Sequence, residues 1–368
     1  MIYLDYNATA PIRPSVLAAM EGLHGMPLNP SSVHSAGRHA KKLLEDARAR
    51  IASALSAFPN EVMFVGSATE ANTTVLRGFS DRALLVSAVE HASLTKTGAL
   101  LGAATIAVDE NGIVRLDLLE QQLVALGRPA LVSVMLANNE TGVIQPIADI
   151  ARIAHAHGAL LHCDAVQALG KIPLDWGLLA ADMLTLCAHK AGGPVGTGAL
   201  MIRSDLPIKP LMVGGKQELG RRAGTDNVPA IVGFAQLVSD VAHCPEAAQW
   251  LEWRQMLEQT IMAAAPDAVI FGASAERLPN TLAVSMPGVK SETQLMHFDL
   301  AGFAVSAGSA CSSGRVAASG ALLAMGVKPE IAETALRISW GWGTTRAQMD
   351  AFAAAWADAY ARLAKAAA

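Results

Sequence analysis

Between residues 61 and 202, short unbroken apolar runs alternate with longer amphipathic ones. EVMFV (61–65), RALLVSAVE (82–90), PALVSVMLANN (129–139), GALLHCDAVQ (158–167), ADMLTLCAHK (181–190) and GALMI (198–202) each predict a strand apolar on both faces. The stretches between them carry helical spacing, as does AKKLLEDARARIASALSA (40–57) before the first run. There Leu43, Leu44, Ala47, Ile51 and Leu55 share one face, and Asp46 and Arg50 sit four apart on another. ATEANTTVLRGF, after Gly66, also predicts a helix. Continuous apolar strands joined by helices predict an α/β fold with a parallel or mostly parallel sheet covered on both faces.

Beyond about Cys244 the pattern changes. A helical stretch (247–264) leads into shorter strand-like pieces at 280–288 and 302–310 and then into helical runs. This predicts a smaller α+β domain, onto which the strand-like opening Ile2 to Leu4 folds back. The expected division is 12–250 for the large domain and 1–11 with 251–368 for the small one.

Composition narrows the possibilities. With 52% AVILMFWYC and 16% charged residues in 368 positions, the chain holds enough apolar material for a full core, which excludes a disordered protein. Lys and Arg number 28 and Asp and Glu 32, a net charge of −4, and the charges are scattered. Neither direct nucleic-acid binding nor a membrane surface is expected. The opening MIYLDYNATAP has no basic stretch followed by an apolar one, so a cytoplasmic location is the expectation. Cys163, Cys187, Cys244 and Cys311 are far apart, with no paired spacing for a disulfide framework or a zinc module; no metal site is expected.

The polar exceptions fall at the ends of the predicted strands: Glu90-His91, Asn138-Asn139-Glu140, Asp164 with Gln167, and His189-Lys190. Ligands of open α/β sheets bind beyond the carboxyl ends of the strands, so four such clusters predict one convergent site. Ser67 and Glu70 have capping-box spacing at a helix start, and with Thr69 beside them that start also suits a phosphate. Asp164 and Lys190 fit a pyridoxal phosphate, which needs a lysine for its Schiff base and a carboxylate against its ring nitrogen; they equally fit a plain ion pair at the sheet edge. Cys311, in AGSACSSGR, is a thiol among small polar neighbours, either a nucleophile or an incidental exposed cysteine. Arg337 suits a bidentate grip on a carboxylate, or an ordinary surface ion pair.

The longer motifs carry more than spacing. YLDYNATAP, NPSSVHSAGR, ATEAN, VEHA, ANNETGVIQPI, HCDAVQALGK, AHK with GPVGTGAL, GGKQELGRRAGTDNV and GSACSSG together resemble the pyridoxal-phosphate-dependent cysteine desulfurases of the NifS/IscS type, which have the class-V aminotransferase fold. The resemblance runs from Tyr3 to about Met349. It implies a fold-type I architecture, a mostly parallel seven-stranded sheet under helices with a smaller α+β domain, and a homodimer. It also implies roles. Lys190 would form the Schiff base, Asp164 would face the pyridinium nitrogen, Gln167 the ring hydroxyl, and His91 would stack on the ring and help move protons. Ala68, Thr69, His189 and the residue at position 187 would hold the phosphate, with Thr225 reaching over from the second subunit. Asn138, Asn7 and Arg337 would serve the substrate carboxylate and its surroundings.

On that resemblance, L-cysteine gives up its sulfur to the thiolate of Cys311. The carbon–sulfur bond breaks, a persulfide remains on the protein, and L-alanine leaves. The persulfide would pass to a sulfur acceptor or iron–sulfur scaffold protein, for cluster assembly or transfer-RNA thiolation. An aminotransferase or a selenocysteine lyase would share fold and cofactor, but an aminotransferase has no use for Cys311. The sequence departs from the family pattern in several places. Cys187 stands where a phosphate-binding serine is usual, Gly66-Ser67 reverses the usual order, Ala307 replaces a serine, and Trp340 and Trp342 enlarge the segment after Arg337.

Overall fold

The computed structural model describes residues 1–308 and 318–367, the last four as backbone. Eleven strands are assigned among them: β1 (Ile2–Tyr3), β2 (Val62–Val65), β3 (Ala83–Ser87), β4 (Ala104–Ile106), β5 (Ala130–Met135), β6 (Leu160–Asp164), β7 (Met183–Cys187), β8 (Gly198–Ile202), β9 (Thr281–Ser285), β10 (Phe303–Ala304) and β11 (Ala335–Ser339). Strands β2 to β8 form one sheet in the order β2-β8-β7-β6-β5-β3-β4. All its pairings are parallel except those of β8, which runs antiparallel to both β2 and β7. The sheet is thus seven-stranded and mostly parallel, an α/β fold.

Strand periodicity sorts its side chains into two apolar layers. Phe64, Leu85, Val132, Leu161 and Leu184 join one, beneath the helices Ser35–Ala54 and Val228–Val241. Met63, Leu84, Leu131, Leu160 and Met183 join the other, beneath Ala68–Gly78. Burial of both faces explains why these strands read as continuous apolar runs.

The turn from β7 to β8 carries His189 and Lys190, so its shape decides where both side chains start. Gly192 (φ +100°) and Gly196 (φ +81°) supply left-handed backbone there. A side chain at Gly198 would press on the Leu186 carbonyl across the β7–β8 pair.

A separate apolar cluster joins the helices Ala247–Ala264 and Arg346–Ala367 through Trp250, Trp253, Phe352 and Trp356. Here β11 pairs antiparallel with β9, and β1 pairs in parallel with β10, so the first residues do fold back onto this region. Strand β10 covers only two residues of the predicted 302–310 piece. One ion pair is corrected: Asp46 pairs with Lys42, while Arg50 donates to Gln236 Oε1 (2.9 Å) and Ser239 Oγ (3.2 Å). Arg50 is drawn off by a packed helix that local spacing does not reveal. Among the described residues, no helix is long and apolar enough to cross a membrane.

Candidate active site

Because β2, β3, β5, β6 and β7 point the same way, their carboxyl ends meet. There they enclose a cavity of about 580 Å³. Asp164 closes β6, while Lys190 and His189 lie just beyond β7. All three line the cavity with Gln167, Cys187 and His91. Ala68 and Thr69 bring the start of the helix Ala68–Gly78 to the same wall, and Asn7 and Arg337 arrive from the other apolar cluster's side.

Asp164 is buried. Its Oδ2 accepts from Asn72 Nδ2 at 2.7 Å and its Oδ1 from the Val166 N–H at 3.0 Å. Burial pushes its carboxyl above the usual range, and those two donors, His91 and Lys190 pull it partly back. Asn72 spends its second hydrogen on Ser93 Oγ (2.9 Å), which lies 2.9 Å from His91 Nδ1. The Ser93 N–H also donates to that Nδ1 (3.1 Å), because His91 caps the helix Ala92–Leu100. Nδ1 is therefore an acceptor, and the neutral ring carries its proton on Nε2. Burial lowers the ring's pKa, assisted by Lys190 and opposed by Asp164.

Lys190 Nζ donates to the carbonyls of Asn7 (2.8 Å) and Ala8 (2.7 Å). Burial and Lys190 push the His189 imidazole down to about 4, so it is neutral at pH 7. Its Nδ1 lies 3.1 Å from Thr9 Oγ1. Ser67 caps the helix Ala68–Gly78 through the Glu70 N–H (3.1 Å), but the box closes one residue early. Glu70 Oε2 accepts from the Gly66 N–H (2.8 Å), and Oε1 takes Arg222 Nε (2.9 Å). In the first turn Thr69 lines the cavity beside Ala68, whose N–H Cys187 Sγ engages; such a helix start suits an anion. Cys187 Sγ donates to the Thr197 carbonyl at 3.9 Å; burial raises its thiol, and the backbone N–H groups of His189 and Ala68, with Lys190, pull it partly back.

Arg337 donates through Nη2 to Asp5 Oδ1 (2.7 Å) and through Nη1 to the Asn139 carbonyl (3.0 Å). Its buried Nε has no partner among the described residues and is a spare donor. Asn138 requires a correction. It is buried but off the cavity wall: Nδ2 donates to the Val89 carbonyl (2.9 Å) and Oδ1 accepts the N–H groups of Glu140 and Thr141 (2.9 Å each). Its amide is spent on shaping its own turn, and Asn139 takes the wall. Thr225 is exposed and is not on the wall. Cys311 lies outside the described residues.

Sequence reasoning missed Asn72, Ser93, Asp5 and Lys171, and gave Glu90, named at the end of its strand, no role. Asn72 follows Thr69 by three on the same helix, a spacing that could have found it. Glu90 is buried, accepts from Ser87 Oγ and the Met135 N–H through Oε1, and among the described residues leaves Oε2 without a partner.

The residues present suit pyridoxal phosphate. Asp164 holds a buried carboxylate whose hydrogen-bond donors, among the described residues, are an amide and a backbone N–H, so a pyridinium N–H would complete it. The lysine, the neutral histidine and the helix start could provide the linkage, the ring face and the phosphate seat.

Comparison with known proteins agrees with this geometry. Residues 2–352 match the family model Aminotransferase class-V. A cysteine desulfurase of Cereibacter sphaeroides is 39% identical over 365 residues, covering 95% of this chain and 93% of its own. Among solved structures, a NifS-like protein from Rickettsia africae superposes with a TM-score of 0.91 at 35% identity, over 98% of this chain and 99% of the other. The structure of SspA in complex with cysteine matches with a TM-score of 0.80 at 28% identity, over 92% of this chain and 98% of the other.

Proposed function

We propose, starting from the fact that the chain belongs to the aminotransferase class-V family and within it to the cysteine desulfurases of the NifS/IscS type, how its own residues divide the work on L-cysteine. Enzymes of this family use pyridoxal phosphate, which supplies an electron sink that stabilises negative charge at the substrate α-carbon. The observation that carries the reading is the meeting of Asp164 and Lys190 in one cavity, from the ends of neighbouring parallel strands.

Lys190 would link to the cofactor. Asp164 would hold the ring nitrogen protonated, and Gln167 would face the ring hydroxyl. Ala68, Thr69 and His189 would seat the phosphate, with Cys187 a weaker partner than a hydroxyl and Thr225 contributed by the second subunit of a homodimer. The substrate carboxylate would go to Arg337, whose spare Nε and displaceable Asp5 contact favour an incoming anion. Asn7 would support that grip through Asn139: its Nδ2 donates to the same carbonyl that Arg337 uses. Lys190, displaced by substrate, would remove the α-proton, and His91 Nε2 would carry protons on the ring's other side.

Cys311 is the proposed nucleophile, on sequence grounds alone. Its thiolate takes the substrate sulfur as the carbon–sulfur bond breaks; the product carbon gains a proton and leaves as L-alanine, and the persulfide goes to an acceptor protein. We keep in this reading the division into 12–250 and 1–11 with 251–368, supported by the separate apolar clusters.

The test is intact-mass analysis of the cofactor-loaded protein after brief exposure to L-cysteine without reductant. One added sulfur atom is expected, lost on reduction, mapped to Cys311 and missing in Cys311→Ala. Lys190→Ala should lose the cofactor's visible absorbance. An unmodified Cys311 in a protein that still makes alanine would reject the nucleophile, and an unchanged spectrum would reject Lys190.

A further inference from the structure

Lys171 has no task in that reading, yet it is 3% exposed and ends beneath the site. Its Nζ donates to Asn7 Oδ1 at 2.7 Å and to Gln167 Oε1. Both are neutral amide oxygens, and among the described residues no carboxylate pairs with it. The charges bearing on it are Lys190, beyond β7, and Arg337, on β11; both repel it, and with burial, the larger effect, they hold its ammonium well below the usual lysine range.

A buried amine without a counter-charge is costly, and an apolar side chain would fill the same space. What a methyl group could not do is choose the orientation of an amide. Because Nζ donates to both amide oxygens, Gln167 turns Oε1 towards Lys171 and Nε2 away from it. One Nε2 hydrogen goes to the Asn7 carbonyl at 3.0 Å, and the other is left for the cavity, whose wall Gln167 forms. Asn7 is fixed likewise: with Oδ1 held, its Nδ2 faces Thr281 Oγ1 (2.9 Å) and the Asn139 carbonyl (3.2 Å).

We infer that Lys171 is a positioning residue that locks the Gln167 carboxamide with its N–H edge towards the cavity. An acidic oxygen of the occupant at that wall then meets a donor and never the amide oxygen. On the cofactor reading above, on which this inference rests, that oxygen is the ring hydroxyl, held in its deprotonated form by the donor.

The readout is the pH midpoint of the visible absorbance of the loaded protein without substrate, a property that a purely structural loss would not move in a set direction. Lys171→Met removes the donor that fixes Oε1 and leaves the Asn7 carbonyl as the amide's one remaining anchor among the described residues, which weakens the hold on its N–H edge. The protonated form should then persist to higher pH, raising the midpoint by about one unit. Lys171→Gln removes the charge but keeps an N–H for Gln167, so its midpoint should stay within about 0.3 units of the unsubstituted protein. An unmoved midpoint in Lys171→Met overturns the inference. If that variant takes up no cofactor, Lys171→Gln decides: a shift of about a unit there assigns the effect to charge and also overturns it. A visible band in the unsubstituted protein, lost in Lys190→Ala, verifies the cofactor reading separately; without that band this inference falls with it.

Discussion

Glu90 shows how strongly position governs chemistry at the residue scale. Burial, with Asp164 adding repulsion, pushes its carboxyl up to about 8 against the donors from Ser87 and Met135. In the unfolded chain it would titrate near 4.5. Between those values the native state holds a proton that the unfolded state has released, so stability falls as pH rises. The contribution is complete below the unfolded value and gone above the native one. Glu90→Gln cannot ionise and should escape this loss, which is at most a few kcal/mol. Thermal unfolding of the loaded protein at pH 5 and pH 8.5 should show the unsubstituted protein losing ground to the variant at the higher pH. Parallel behaviour would reject the buried-acid assignment. At this scale Lys190, Asp164 and His91 were legible because polar residues are conspicuous at the ends of apolar runs, and Arg337, inside β11, because a Gly-rich turn follows it. Asn72 and Lys171 were not. An asparagine inside a helix and a lysine four residues after a glutamine look like ordinary surface chemistry until the fold brings Asp164 to one and Asn7 to the other.

At the scale of elements, the helix Ala247–Ala264 and β8 were readable to the residue, since their spacing is local. Strand β10 was not, because it is defined by its pairing with β1, some 300 residues away. The segment after β1 is the element on which the site most depends. It brings Asp5 to Arg337, Asn7 to Lys171 and two carbonyls to Lys190. Its bed is tight: a side chain at Gly341 would overlap the ring of Tyr6. Gly341→Ala should therefore displace Tyr6 and with it Asn7. The expected result is a KM for L-cysteine raised about tenfold, from misplacement of the substrate grip, with a smaller change in kcat. Gly25→Ala, in open space, is the control. Steady-state rates of alanine formation give both constants, and equal KM values in the two variants would show that the segment does not set substrate affinity.

Over the whole molecule, the sheet with its helices has its own apolar layers, whereas the cavity needs residues from the other cluster as well. Removing residues 1–10 should leave the sheet folded, with near-native circular dichroism. It should also strip Lys190 of the Asn7 and Ala8 carbonyls and Arg337 of Asp5, so that cofactor is lost on gel filtration. Cofactor kept at full occupancy by the shortened chain would contradict this. The α/β plan and the small region's mixed character were readable from apolar rhythm alone. The joining of the two at Asn7 and Arg337 was not, because nothing local distinguishes a polar residue in an opening segment from one that will close a site.

The pairing of the opening segment with β10 and β11 also sets an order in time. The sheet is complete once Ile202 has been made, but Asp5 waits 332 residues for Arg337. At 5–20 residues per second, that wait is roughly 15 to 65 s. For its last part, the 135 residues from Ile202 to Arg337 and roughly 7 to 27 s, a ribosome-bound chain can carry a finished sheet and an unfinished site. The Asp5–Arg337 contact that closes the cavity is made only when synthesis has nearly ended, so the site is completed after the scaffold that carries it.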